Sequence, residues 1–185
     1  MKILNRITAN MQIFRRKGDQ RRLQKYFKVV LFTVTALVAH ESAGADMRLS
    51  IGIGSLDVLD ETRHGAYSLM LEGPQYDVLW SIRPIGLLVY SDEGRYYAGL
   101  GVFKELDISE RWVVGVGTGA GTYHEGNSEK DLGYDVEFYS RITLAYRLAK
   151  AGQIRAELGH LSNADLSSVN PGTELFSINW VFEFY

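Results

Sequence analysis

Residues 153–185 read QIRAELGHLSNADLSSVNPGTELFSINWVFEFY, and their period is two. Strand side chains alternate between faces, so Ile154, Ala156, Leu158, His160 and Ser162 share one side, while Gln153, Arg155, Glu157 and Gly159 share the other. After the turn signal Pro171-Gly172 the alternation returns. Glu174, Phe176, Ile178, Trp180, Phe182 and Phe184 form one row, opposed by Ser177, Asn179, Val181 and Glu183. A hairpin of these two segments gathers His160, Ser162 and Glu174 on an otherwise apolar face. Facing residues on paired strands stand about 4.5–5.5 Å apart at Cβ, a workable spacing for serine, imidazole and carboxylate to hydrogen-bond in series.

The same period runs upstream. Leu49, Ile51 and Ile53 alternate with Arg48, Ser50, Gly52 and Gly54, and Tyr67, Leu69 and Leu71 with Ser68 and Met70. A third segment spans residues 77–90, with a bulge expected at Arg83-Pro84 because proline cannot donate to a ladder. Residues 91–94 (SDEG) are the clearest hairpin turn. Strands follow over 95–105, over 112–123 with its run of alternate glycines, and over 134–148, and Lys150-Ala151-Gly152 turns the chain into the final pair. The expectation is all-β, with about eight strands and no helix. That number closes into a small barrel.

Alternation alone does not say which row faces inward. A lipocalin-like soluble carrier puts its apolar rows inside, around a ligand, whereas an outer-membrane barrel puts them outside, against lipid. The N-terminal segment favours the membrane form. Residues 1–45 carry nine Lys or Arg and two acids, then the apolar run 29–39 and Ala43-Gly44-Ala45. This is the order of a secretory signal peptide, with cleavage expected after Ala45 and a barrel domain over 46–185. Met11 is an alternative start, and the pairs Arg15-Arg16 and Arg21-Arg22 give a weak twin-arginine signal. Arg141, Arg147, Arg155, Glu157 and Glu183 fall on one face of the last three strands, where they would pair inside a narrow lumen. Tyr96, Tyr97 and Trp112 read as interfacial girdle residues. Long connections at 55–63, 125–133 and 163–173 against short ones at 73–76, 106–110 and 150–152 put the long loops outside the cell, with 91–94 as the exception.

Composition excludes several classes. With no cysteine there is neither a disulfide framework nor a thiolate metal site. Residues 46–185 hold 11 basic and 20 acidic residues, a net of −9, which argues against nucleic acid as a partner. No His/Cys metal spacing and no Gly-rich phosphate loop occur. His64 and His124 fall at loop edges with no nucleophile nearby, and His40 leaves with the leader.

The chemistry of the His-Ser-Glu set is acyl transfer. Ser162 needs a base, His160 is the nearby candidate, Glu174 would hold its tautomer, and Asn163 with neighbouring backbone N–H groups would receive an oxyanion. A polar loop rim at a membrane interface would use the same residues without reacting. The motif His160-Leu161-Ser162-Asn163-Ala164, with Glu174 fourteen positions after the histidine, resembles the C-terminal motif of PagL, the outer-membrane lipid A 3-O-deacylase family. The resemblance implies an eight-stranded outer-membrane barrel that cleaves the 3-O-linked acyl ester of lipid A in lipopolysaccharide, without a cofactor. It implies Ser162 as nucleophile, His160 as base, Glu174 as its orienter and Asn163 at the oxyanion. The family pattern places Gly, with its N–H in the oxyanion hole, where this chain has Asp165. The partners implied are lipid A and the lipid of the outer membrane, and the reading leaves room for a homodimer. The alternatives are a non-catalytic structural or adhesion barrel and, third, the soluble carrier.

Overall fold

The computed structural model describes residues 46–128, 130–148 and 152–184. The expected leader, most of the turn at 150–152 and the last residue lie outside them. Eight strands close on themselves in sequence order: β1 (Met47–Leu56), β2 (His64–Glu72), β3 (Ile82–Ser91), β4 (Tyr96–Asp107), β5 (Trp112–His124), β6 (Val136–Arg147), β7 (Gln153–Ser162) and β8 (Thr173–Phe184). Every neighbouring pair is antiparallel, and β8 returns to β1 through pairs such as Ile53 with Ile178 and Arg48 with Glu183.

The barrel is apolar outside and charged inside. Ile51, Leu69, Leu88, Leu144, Leu158 and Ile178 are all exposed on the outer wall, a continuous apolar belt that a water-soluble protein does not display. Inside, Glu72 and Arg155 are wholly buried. Arg155 pairs with Glu72 and donates to Glu105 at 2.9 Å. Arg141 meets Glu157 at 3.1 Å, and Arg48 reaches Glu105 at 2.5 Å and Glu183 at 3.1 Å. Arg141 and Arg155 both lie over the Phe103 ring, their guanidinium carbons 4.2 and 4.8 Å from its centroid. A Cβ on Gly115 would collide with that ring, which explains one of the alternate glycines of β5. A lumen packed with ion pairs and aromatic rings is not a carrier's ligand cavity, so the soluble alternative falls away. The fold is that of a transmembrane barrel.

Four expectations are corrected. Residues 77–81 are not strand: Asp77–Leu79 form a single 3-10 turn and β3 begins at Ile82, so the connection 73–81 is long rather than short. No bulge occurs at Pro84, because the register with β4 runs unbroken through Arg83–Phe103, Pro84–Val102 and Ile85–Gly101. The Gly73 N–H donates to the Pro84 carbonyl at 2.8 Å, and the donor that proline lacks is supplied by Arg83, whose guanidinium reaches the Gly73 carbonyl at 3.0 Å. Arg147 is not in the lumen; it pairs with Asp107 at the exposed short-turn end. Tyr97 is only 2% exposed and packs inside against Tyr139, while Tyr96 and Trp112 lie on the outer wall as expected. Tyr67, Tyr90 and Tyr96 are cross-strand neighbours and form an outer aromatic row toward the long-loop end.

Outward apolar display sets the first prediction. Ile178 sits half-way along β8 on the outer wall, and Ile178→Arg is expected to destabilise the folded barrel by about 2–4 kcal/mol in a bilayer. Ile178→Leu should be close to neutral. Reversible unfolding from phospholipid vesicles measures both.

Candidate active site

His160 and Glu174 face each other directly across β7 and β8, and His160 Nδ1 lies 3.2 Å from Glu174 Oε1. Both project from the outer wall, with side chains 50% and 21% exposed. Ser162 ends β7 on the same face, two residues on, opposite Phe138; Ser140 is opposite His160. Among the described residues no hydrogen bond joins Ser162 to His160. Hydrogen bonds between candidate catalytic groups often close only with substrate in place.

The loop after Ser162 turns sharply. Ala164 and Asp165 have φ of 52° and 61°, the left-handed region that glycine enters freely and other residues enter at a cost of about 1–2 kcal/mol each. This accounts physically for a glycine at position 165 in the family pattern. The Asp165 carboxylate accepts from Asn170 Nδ2 at 3.1 Å. Asn163 points inward and is fully buried. Its amide nitrogen donates to the Leu132 and Val169 carbonyls, both at 2.7 Å, and its backbone N–H to Asn170 Oδ1 at 3.1 Å. In this conformation Asn163 has no N–H left for an oxyanion and serves to tie two loops together.

The loop then returns over the imidazole. Gly172, at φ +66°, lies so close to His160 that a Cβ there would sit 2.7 Å from Cε1. Gly172→Ala is therefore expected to displace the ring and lower turnover about 10- to 100-fold while the barrel stays folded. Kinetics beside heat-modifiable gel migration would check it. In the sequence alone, Gly172 marks no more than a turn after Pro171.

The family model for lipid A 3-O-deacylase (PagL) matches residues 65–183, well over half the chain. The chain belongs to the PagL family. Its fold is similar to the crystal structure of the outer membrane enzyme PagL, with a TM-score of 0.59 at 17% identity, covering 73% of this chain and 98% of that one. It is also similar to a de novo designed transmembrane β-barrel, with a TM-score of 0.52 at 8% identity, covering 75% of this chain and 96% of the design. No curated protein matches. PagL-family membership and the barrel fold together support an outer-membrane location.

A second cluster, invisible in the sequence, borders the candidate site at the long-loop end. Asp57, 3% exposed, accepts from Thr173 Oγ1 at 2.7 Å and Lys130 Nζ at 2.5 Å on one oxygen, and from Arg95 at 2.7 Å on the other. Burial by itself would raise the Asp57 pKa, but the hydrogen bonds from Lys130, Thr173 and Arg95 outweigh it and hold the carboxyl below its usual range. Burial likewise works against the charge on Lys130, and the bonds to Asp57 and Asp60 overcome it, so its pKa is raised. The depressed carboxylate stabilises the folded loops above its unfolded value of about 3.9 and ceases to do so as pH falls through the folded value. The raised lysine contributes below about 10.4 and ceases only as pH rises past its folded value. Hydrogen-exchange protection of the loops, corrected for intrinsic rates, should be flat from about pH 5 to 9 and fall below about pH 4.

His64 pairs with Glu93 at 3.2 Å at the start of β2, and His124 packs on Tyr96 with ring centroids 5.1 Å apart. Both are strand ends rather than loop. Among the described residues no group of three or more His, Cys, Asp or Glu could hold a metal ion.

Proposed function

We propose that the protein removes the 3-O-linked 3-hydroxyacyl chain of lipid A by a serine mechanism on the outer surface of its barrel, with the long-loop end on the cell exterior. The observation that carries this reading is the His160–Glu174 contact on an outward, lipid-exposed wall, with Ser162 on the same face. With Nδ1–H donated to Glu174, His160 presents an unprotonated Nε2 to Ser162. Ser162 Oγ transfers its proton to Nε2 and attacks the ester carbonyl. The Asp165 backbone N–H, with the carboxylate occupied by Asn170, supplies a donor to the oxyanion. Collapse expels the sugar hydroxyl, which takes the proton from His160 and leaves an acyl-enzyme on Ser162. Water, deprotonated by the same imidazole, releases the 3-hydroxy fatty acid and restores the serine.

Incubation of the folded protein with lipid A, followed by mass spectrometry, tests the reading. The expected result is a mass loss equal to one 3-hydroxyacyl group, recovered as free fatty acid. Intact lipid A after incubation with a heat-modifiable, folded barrel would overturn it in favour of a non-catalytic barrel.

A further inference from the structure

We infer that Asp57 is a positioning residue for this reaction: it fixes the first two residues of β8, and through them the Glu174 carboxylate, against His160. The inference rests on the hydrolase reading above.

Glu174 is paired with β7 but lies beyond the end of the β1 register. On the β1 side the strand register ends at Leu56 opposite Leu175, one residue short of it. The ladder is continued by a residue outside the strand, since the Asp57 N–H donates to the Glu174 carbonyl at 2.8 Å. One residue earlier the Asp57 carboxylate holds the buried Thr173 hydroxyl. Thr173 faces inward and Glu174 outward, and the Glu174 carbonyl belongs to the peptide that follows it, so a bond to the Thr173 side chain and one to the Glu174 carbonyl hold the Glu174 backbone from both sides. The direction in which the Glu174 side chain leaves the backbone follows from those two anchors.

The anchor is itself anchored. Arg95 binds Asp57 and also Glu93 at 3.0 Å, and Lys130 binds Asp57 and also Asp60 at 2.6 Å. Glu93 reaches His64, and Tyr123 donates its hydroxyl to the Lys130 carbonyl at 3.3 Å. The connections β1–β2, β3–β4 and β5–β6 thus converge on one carboxylate that holds the start of β8. Asp57 adopts φ +57°, a conformation that asparagine or glycine would take more readily. Aspartate at that position supplies a charge for two cations, which neither alternative does.

The test is a double-mutant cycle on lipid A in mixed micelles. Asp57→Asn is expected to lower kcat about 10- to 100-fold with KM changed by less than about twofold, because the fault is in geometry rather than binding. In a Glu174→Gln background the same substitution should cost less than about twofold, since the group it positions is already disabled. An equal loss in both backgrounds would mean that Asp57 only maintains the folded fraction, and would overturn the inference. Thr173→Val, which deletes one link and keeps its shape, decides the matter if Asp57→Asn does not fold; its loss should be smaller and should likewise vanish with Glu174→Gln. A second reading needs no turnover. The His160 imidazole carbon–proton resonance should move in Asp57→Asn as it does in Glu174→Gln, while that of His124 stays in place. An unmoved His160 signal refutes the positioning role whether or not lipid A is cleaved. A moved signal without wild-type cleavage refutes the hydrolase reading alone.

Discussion

Ser162→Ala is expected to reduce release of 3-hydroxy fatty acid by about 10⁴-fold or more and to leave the barrel folded. The size follows from what the substitution removes. Without Oγ there is no acyl-enzyme, and His160 with Glu174 can at most assist water. The hydroxyl has no bond to His160 in the resting structure and ends β7 at the wall's edge, so its loss touches neither the ladder nor the lumen. A gel shift identical to wild type with no fatty acid released would be the clean outcome. Unchanged turnover would remove Ser162 from the mechanism, and Ser140, the cross-strand neighbour of His160, would become the serine to test.

The largest stability effect lies on the other side of the same strand. Arg155→Ala is expected to destabilise the barrel by about 3–5 kcal/mol, because it strands carboxylates in a place water does not reach. Glu72 is completely buried, and after Arg155 the cation within ion-pair reach among the described residues is Arg48, 3.9 Å away. Glu105 loses its 2.9 Å partner, and the Phe103 ring loses one of the two guanidinium groups that cover it. Arg147→Ala provides the contrast. Arg147 and Asp107 are both substantially exposed, with side chains 31% and 63% accessible, and breaking such a pair should cost at most about 1 kcal/mol. Unfolding midpoints of the two variants in the same vesicles separate a buried network from surface pairs; equal shifts would contradict the lumen described above.

Period two made the architecture legible before any coordinates. The alternation of Leu49 to Ile53, of Phe138 to Tyr146 and of the last hairpin marks the strands and their count, while the basic and apolar leader rather than the alternation pointed the apolar rows outward, and His160, Ser162 and Glu174 followed as a set because residue parity alone puts them on one face. The misses have separate causes. Arg147 has lumenal parity, but depth along the barrel decides whether such a position is buried or at the rim, and parity is silent on depth; Tyr97 turns inward because it follows the outward Tyr96 in one strand, so both cannot lie in the girdle. Pro84 was read as a break because a proline lacks a donor; an arginine one residue earlier supplies it, a substitution that composition does not reveal. Asn163 lies next to the serine in sequence, but it keeps the inward parity of Arg155, Glu157 and Leu161, opposite to that of Ser162. Asp57 could not be found at all. Its importance comes from Arg95, Lys130 and Thr173, which lie 38, 73 and 116 positions away.

The placement of His160 on the outside of a filled cylinder has a kinetic consequence. An enzyme with an interior pocket samples its substrate from a volume, whereas this wall meets only molecules that diffuse past it in the plane of a film. Its rate should follow the mole fraction of substrate among neighbouring amphiphiles, so that adding inert detergent or phospholipid at fixed total lipid A slows it, and the meaningful Michaelis constant is a surface density.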